Sequence, residues 1–213
     1  MTEVLDLKRQ LRHLYKPDAK APVLVDVPTM RFLMVDGVDG VRGPAFAGAV
    51  RALLSLAYQV KFGAAKRLDL KYPVMPLEGL YWDAEEGPLA PLEDARHVAW
   101  RLMSLLPDDV PREFVDEVRA KVAVKKDLPR LTDVRVQSFT EGRSVQLLHV
   151  GPYADETLTV RRMRVFAAQR GLAFAGARHE IYLDDSDRSA QEKLKTGLRY
   201  PVRPEKQGDP AGR

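Results

Sequence analysis

The chain has no cysteine in 213 residues, which excludes disulfides, thiolate metal sites, iron–sulfur clusters and a cysteine nucleophile. It has no apolar run approaching the roughly 20 residues needed to cross a bilayer, and its first residues alternate charged with apolar side chains, unlike the h-region of a signal peptide. Histidine is scarce too: His13, His97, His149 and His179 are scattered along the chain, so no metal site and no metal cofactor is expected. Neither sign of charge dominates, with 34 Lys and Arg against 30 Asp and Glu, interleaved throughout. The resulting +4 net charge reads as a solvated basic surface. No helix-turn-helix pattern, zinc-finger spacing or aromatic RNA-reading motif accompanies it, so neither nucleic acid nor membrane is an expected partner. The expected location is cytoplasmic.

Common catalytic signatures are missing as well. Gly37-x-x-Gly40-x-x-Gly43 lacks the lysine of a phosphate loop and the spacing of a dinucleotide fold, and reads as a turn. There is no Gly-x-Ser-x-Gly elbow. His179-Glu180 opens like a zinc-protease helix, but the fifth residue is Leu183 and the segment alternates like a strand. No cofactor is expected.

What is present is ordinary globular composition, 45% apolar and 30% charged, in a chain long enough for one large domain or two small ones. Amphipathic spacing predicts a helix over residues 3–15, then an extended piece over 23–27 inside a Pro-punctuated linker. A strand is expected over 31–35, followed by a helix opened by Pro44 and carrying Phe46, Val50, Leu53, Leu54 and Ala57 on one face. Strands follow over 69–74, 78–82 and 97–105, and a helix over 111–125 capped by Asp108 or Asp109. The second part reads as a hairpin of 134–139 and 144–150 around Glu141-Gly142, a helix over 154–170 closed by Gly171, a strand over 176–184, a short helix over 190–196 and a strand over 198–202.

This order is a repeat: strand, helix, strand, strand, occurring twice. Gly79-Leu80-Tyr81-Trp82-Asp83 aligns with Glu180-Ile181-Tyr182-Leu183-Asp184, so that in the repeat Tyr81 corresponds to Tyr182 and Gly79 to Glu180. The expected fold class is α+β: a pseudo-twofold pair of strand-helix-strand-strand units forming antiparallel sheets around a central ligand cleft. The expected parts are an N-terminal helix and linker (1–29), a binding domain (30–203, with units of about 30–106 and 107–203) and a disordered tail (204–213).

Within the strand over 176–184, alternation places Arg178, Glu180 and Tyr182 on one face and His179, Ile181 and Leu183 on the other. A mid-strand Glu is unusual, because a carboxylate is costly to bury without a partner. With Tyr182, Tyr81, Trp82, Tyr58, Tyr72, Tyr153 and Trp100 for company, Glu180 suits a cationic or polarised aromatic ligand. A desolvated Glu also suits general acid or base work. The alternative is that Glu180 pairs with Arg178 or Arg199 on a solvated sheet face.

The residues also carry a family resemblance. Asp6-Leu7-Lys8-Arg9-Gln10-Leu11, Pro22-Val23-Leu24-Val25-Asp26-Val27-Pro28, Tyr72-Pro73-Val74-Met75-Pro76-Leu77-Glu78-Gly79-Leu80-Tyr81-Trp82 and His179-Glu180-Ile181-Tyr182-Leu183-Asp184-Asp185 keep their order. So do Glu192-Lys193-Leu194-Lys195-Thr196 and Arg199-Tyr200-Pro201-Val202. Together, over about residues 6–203, they resemble the standalone GyrI-like (gyrase-inhibitor-like) small-molecule-binding proteins. The resemblance implies the paired-unit fold, shared with effector-binding domains of multidrug-sensing transcription activators, and a cleft Glu, here Glu180, that meets an aromatic or cationic small-molecule ligand. It extends to hydrolases that open the cyclopropane of DNA-alkylating antibiotics. On that footing the candidate catalytic residues are Glu180 and Tyr182, and the candidate ligand-binding residues are Glu180, Tyr182, Tyr81, Trp82, Met34 and His149. The expected function is binding of amphipathic, aromatic or cationic small molecules in drug or xenobiotic sequestration or resistance. The alternatives are hydrolysis of cyclopropanoid electrophiles with Glu180 activating water, and a protein-interaction module acting on a topoisomerase. A monomer or homodimer is expected. With only about 30 residues before the first expected strand, a fused DNA-binding domain does not fit.

Overall fold

A computed structural model describes residues 3–41, 43–90, 92, 95–184 and 190–205. The chain starts with a two-residue strand β1 (Glu3–Val4) and two short helices, α1 (Leu7–Gln10) and α2 (Arg12–Tyr15), in place of the single helix expected over 3–15. Asp6 caps the first by accepting the Arg9 backbone N–H. The extended piece and first strand are one 16-residue strand, β2 (Val23–Val38), which continues past Pro28. Helix α3 (Pro44–Arg67) has Pro44 in its first turn and buries Ala49, Ala52, Leu53, Leu56 and Val60 at helical spacing.

After the two-residue β3 (Leu70–Lys71) come β4 (Leu77–Asp83) and β5 (Val98–Leu105). Helix α4 (Arg112–Lys125) is capped by Pro111 rather than by Asp108 or Asp109, and Asp108 instead offers its carbonyl to Arg31. The expected hairpin around Gly142 is not there. Residues 135–150 form a single strand, β6 (Arg135–Val150), paired along β2 from Val23↔Gln146 to Met34↔Arg135. Gly142 takes φ 77, outside strand geometry. It therefore breaks the alternation of β6 instead of reversing the chain. Helix α5 (Glu156–Ala168), β7 (Leu172–Phe174), β8 (Arg178–Tyr182) and β9 (Lys195–Pro204) complete the chain. A 3-10 turn, Gln191–Lys193, stands where a short helix was expected over 190–196. Of the expected tail, residues 206–213 lie outside the described residues, as does Asp185.

The main sheet runs β6-β2-β5-β4-β8-β9-β7, and β6 also pairs with β9. Six strands thus close into an antiparallel ring, with β7 attached to the end of β9. Closure leaves no exposed edge in that ring. The two units are β2-α3-β4-β5 and β6-α5-β8-β9, and exchanging them maps the ring onto itself. The symmetry has a visible centre: Gly79 pairs directly with Glu180 across β4 and β8, flanked by Leu77↔Tyr182 and Tyr81↔Arg178.

Cross-strand register sorts the side chains onto two faces. Val145, Leu147, Leu198 and Tyr200 pack with Val160, Met163 and Ala167 of α5. Phe46 of α3 meets Trp100 of β5 edge to face at 5.1 Å. This helix face includes Gly79, Tyr81, Arg178, Glu180 and Tyr182. The opposite face carries Met34, Glu78, His179, Ile181 and Arg199, and residues 13–17 cover it, with Leu14 fully buried. No helix among the described residues is long and apolar enough to cross a membrane.

Candidate functional site

Glu180 sits on the helix face, 6% exposed. One carboxylate oxygen, Oε1, lies 2.8 Å from Arg178 Nη2; the other, Oε2, accepts the Tyr182 hydroxyl at 2.9 Å. Because Tyr182 donates to Glu180, Tyr81 donates in turn to Tyr182, and the hydroxyls of the two repeat-related tyrosines meet across the symmetry centre. The chain is therefore Tyr81, Tyr182, Glu180. Burial and the neighbouring Glu180 push the Tyr182 phenol well above its ordinary pKa, so it stays a proton donor.

Gly79 explains why the two halves differ at this point. A Cβ there would lie 2.7 Å from the Tyr81 hydroxyl and ring edge. The ring lies over Gly79, so a second Glu at this position has no room while Tyr81 stays where it is. One half supplies the carboxylate and the other a tyrosine laid over a glycine. Tyr153, just before α5, packs edge to face on Tyr182 with centroids 6.0 Å apart.

Arg178 joins the site to α5. Its Nη2 also bonds Glu156, which stands 1% exposed in the first turn of that helix. Burial works against the guanidinium charge, but Glu180 and Glu156 outweigh it and raise its pKa further. Among the buried polar atoms here without a hydrogen-bond partner are Arg178 Nε and the hydroxyl of Thr196, which pairs with Tyr182 between β8 and β9.

The sequence-predicted residues divide accordingly. Glu180, Tyr182 and Tyr81 come together. His149 shares their face through the row Tyr182–Thr196–His149, but its ring is committed, with Nδ1 at 2.9 Å from Thr159 Oγ1 and Nε2 at 3.0 Å from the Pro152 carbonyl. Trp82 and Met34 do not join the group. Trp82 follows Tyr81 in a strand and so points to the opposite face, while Met34 aligns with Met103, Glu78 and Ile181, also opposite. Of the proposed pairings, Glu180 takes Arg178 and not Arg199, and does so buried rather than on a solvated face.

Arg199 belongs to a second buried network behind the site. His179 donates from Nδ1 to Glu141 Oε2 at 2.9 Å and from Nε2 to Glu78 Oε2 at 3.0 Å. Arg199 reaches Glu141, Gln146 and the Leu14 carbonyl, and Tyr15 donates to Glu78 at 2.6 Å. Burial opposes the charge on His179, yet the two carboxylates hold its pKa at about 9. Burial likewise opposes the Glu141 charge, and His179 and Arg199 bring that carboxyl to about 2. Sequence reasoning missed this network, because its members lie up to 185 residues apart. It also missed Glu156. The alternation that places Trp82 opposite Tyr81 was legible in the strand itself.

Two surface grooves lie elsewhere. One of about 660 Å³ runs beside α3 past Leu54 and Tyr58, and one of about 530 Å³ runs along α5 past Leu158 and Phe166. Neither includes Glu180.

A closed antiparallel ring of two related units, with a buried carboxylate and paired tyrosines at its symmetry centre, defines the α+β fold. Residues 21–203 match the GyrI-like small molecule binding domain, and the chain belongs to the GyrI-like family. A protein of known structure from Listeria innocua is 34% identical, with TM-score 0.84 over 92% of this chain and 98% of its own. A hydrolase from Listeria innocua is also 34% identical, with TM-score 0.80 over the same shares. The C-terminal domain of EcmrR shares the fold at 12% identity, with TM-score 0.51 over 86% of this chain and 97% of its own. Among curated proteins, none matches the chain.

Proposed function

We propose that this protein captures amphipathic, aromatic or cationic small molecules on the helix face around Glu180, in sequestration of or resistance to drugs and xenobiotics. The observation that carries this reading is a carboxylate only 6% exposed, bonded to Tyr182 and placed on the pseudo-twofold centre against a glycine. A structural carboxylate can be replaced by apolar packing at little cost, whereas a ligand site needs a few placed polar groups among aromatic rings. Tyr81, Tyr182 and Tyr153 supply the rings, and Tyr182 and Tyr153 are the more exposed of the three. Titration with a panel of lipophilic aromatic dyes, followed by tryptophan fluorescence, tests it. Saturable binding weakened at least tenfold in Glu180→Gln is expected. No saturable signal, or equal binding by both proteins, overturns it.

A second reading is favoured by the Tyr81–Tyr182–Glu180 chain, which joins a proton donor to a base, and by the hydrolase among the 34%-identical relatives. In it the substrate is a cyclopropane conjugated to a dienone. Water attacks the ring CH2, the strained C–C bond breaks, and its electron pair moves to the dienone oxygen as a phenolate. Glu180 takes the proton from water, and the tyrosine pair protonates the oxygen. Chromatography of a cyclopropanoid incubated with wild type is expected to show the water adduct. Equal turnover by Glu180→Gln removes Glu180 from the reaction.

A further inference from the structure

Arg178 places a positive charge where a cationic ligand of Glu180 would have to stand. Its Nη2 lies 2.8 Å from Glu180 Oε1 and is held from the other side by Glu156. The pair is not a flexible surface contact, since the Arg178 side chain is 16% exposed, Glu180 8% and Glu156 1%. Both elements that flank it, β8 and the first turn of α5, are regular. We propose that Arg178 is the specificity-determining residue of this face, a built-in counter-ion that makes the site select neutral aromatic ligands bearing a hydrogen-bond acceptor over cationic ones. The inference rests on the reading of the Glu180 face as the ligand site.

The chemistry of the unused groups points the same way. Glu156 and Glu180 bring two negative charges and Arg178 one positive, so the trio repels an anion. A cation approaching Glu180 meets the repulsion of Arg178 at similar range, which offsets the attraction of that carboxylate and leaves only that of Glu156 on the other side of the guanidinium. Arg178 Nε and Thr196 Oγ1 are among the buried polar atoms here without a hydrogen-bond partner. The first can only donate, and the second can donate or accept. The tyrosine hydroxyls add two further O–H groups whose hydrogens can be redirected. A buried donor without a partner carries a penalty that an acceptor atom on a ligand removes. A carbonyl or ether oxygen on a flat aromatic frame meets these requirements.

Two compounds of equal size separate the cases: 1-methyl-4-quinolone, neutral with a carbonyl acceptor, and 1,4-dimethylquinolinium, its cationic counterpart. Calorimetric titration of wild type is expected to give a Kd at least tenfold lower for the quinolone. In Arg178→Met the order reverses, with the quinolinium gaining at least tenfold and the quinolone losing at least tenfold. Arg178→Lys keeps the wild-type order. Because Arg178→Met leaves two buried carboxylates together, Arg178→Met with Glu156→Gln is titrated beside it and is expected to show the same reversal. An affinity gained by the variant cannot come from unfolding. If wild type prefers the quinolinium, or neither variant shifts the ratio, the role of Arg178 is overturned. The site itself then still stands, provided Tyr182→Phe weakens binding of the quinolone. If neither compound binds wild type, the site reading and this inference fall together.

Discussion

Both faces of β8 bury charge, and they settle it differently. Behind the strand, two carboxylates (Glu78 and Glu141) meet two cations (His179 and Arg199), with Tyr15, Gln146 and the Leu14 carbonyl taking up further hydrogen bonds and only Glu141 Oε1 among these carboxylate oxygens without one. In front, Glu156 and Glu180 share one guanidinium, and donors on Arg178 and Thr196 stay without partners. A balanced, nearly saturated network rigidifies a fold. An unbalanced one with spare donors is costly to keep unless something binds there. The strand thus rests on a balanced network and presents an unbalanced one, one residue apart in sequence, and the second is the face proposed to bind.

The sharpest way to break the comparison is Arg199→Met, which strips Glu141 of one cation and leaves the Leu14 carbonyl without that donor. Breaking a buried pair costs about 3–5 kcal/mol, roughly 10 °C for a chain of this size, and thermal unfolding measures it. A loss as small as that of a surface change would show that the rear network is not structural.

The second test is pH. His179 has a folded pKa of about 9 against the ordinary 6.5, so its contribution is whole below 6.5 and is lost as pH rises through about 9. Glu141, at about 2 against the ordinary 4.5, contributes fully above 4.5 and loses that contribution as pH falls towards 2. Urea midpoints are expected to be highest between about pH 4.5 and 6.5, with the alkaline decline flattened in His179→Gln. The front face is expected to leave this profile unchanged in Glu180→Gln.

Gly79→Ala puts a methyl group 2.7 Å from the Tyr81 hydroxyl and ring. The ring must move, at about 1–3 kcal/mol, and ligand affinity is expected to fall with little change in the pH profile. The smallest effect is that of Tyr182→Phe. Removing the hydroxyl that bonds Glu180 costs about 1–2 kcal/mol in urea unfolding, while aromatic probe binding weakens more than stability does. A variant that loses stability but keeps probe affinity would assign Tyr182 to the structural side.

Much of the frame was legible. Helical spacing from Phe46 to Ala57 and the Pro44 start marked α3, and the alternation of 178–182 placed Glu180 and Tyr182 together before any contact was known. The repeat aligned Tyr81 with Tyr182 and Gly79 with Glu180, and the strand pairing puts both alignments at the centre of the ring. Gly142 misled because a glycine between two apolar runs signals a turn, whereas here its positive φ only shifts the facing of β6. Trp82 and Met34 were drawn towards the site by residue type, although strand parity sends Trp82 away from Tyr81.

By itself the sequence determined local periodicity, the twofold repeat and the single carboxylate that breaks it, because these depend on neighbours a few residues apart and on side-chain size. Only the tertiary structure decided what that carboxylate meets. Ring closure brings β4, β6, β8 and β9 side by side, seats Tyr15 on Glu78 and His179 on Glu141, and lets Glu156 of α5 hold Arg178 against Glu180. Such long-range pairings leave no trace in local spacing, since the energy of a buried charge is set by whatever the fold places beside it.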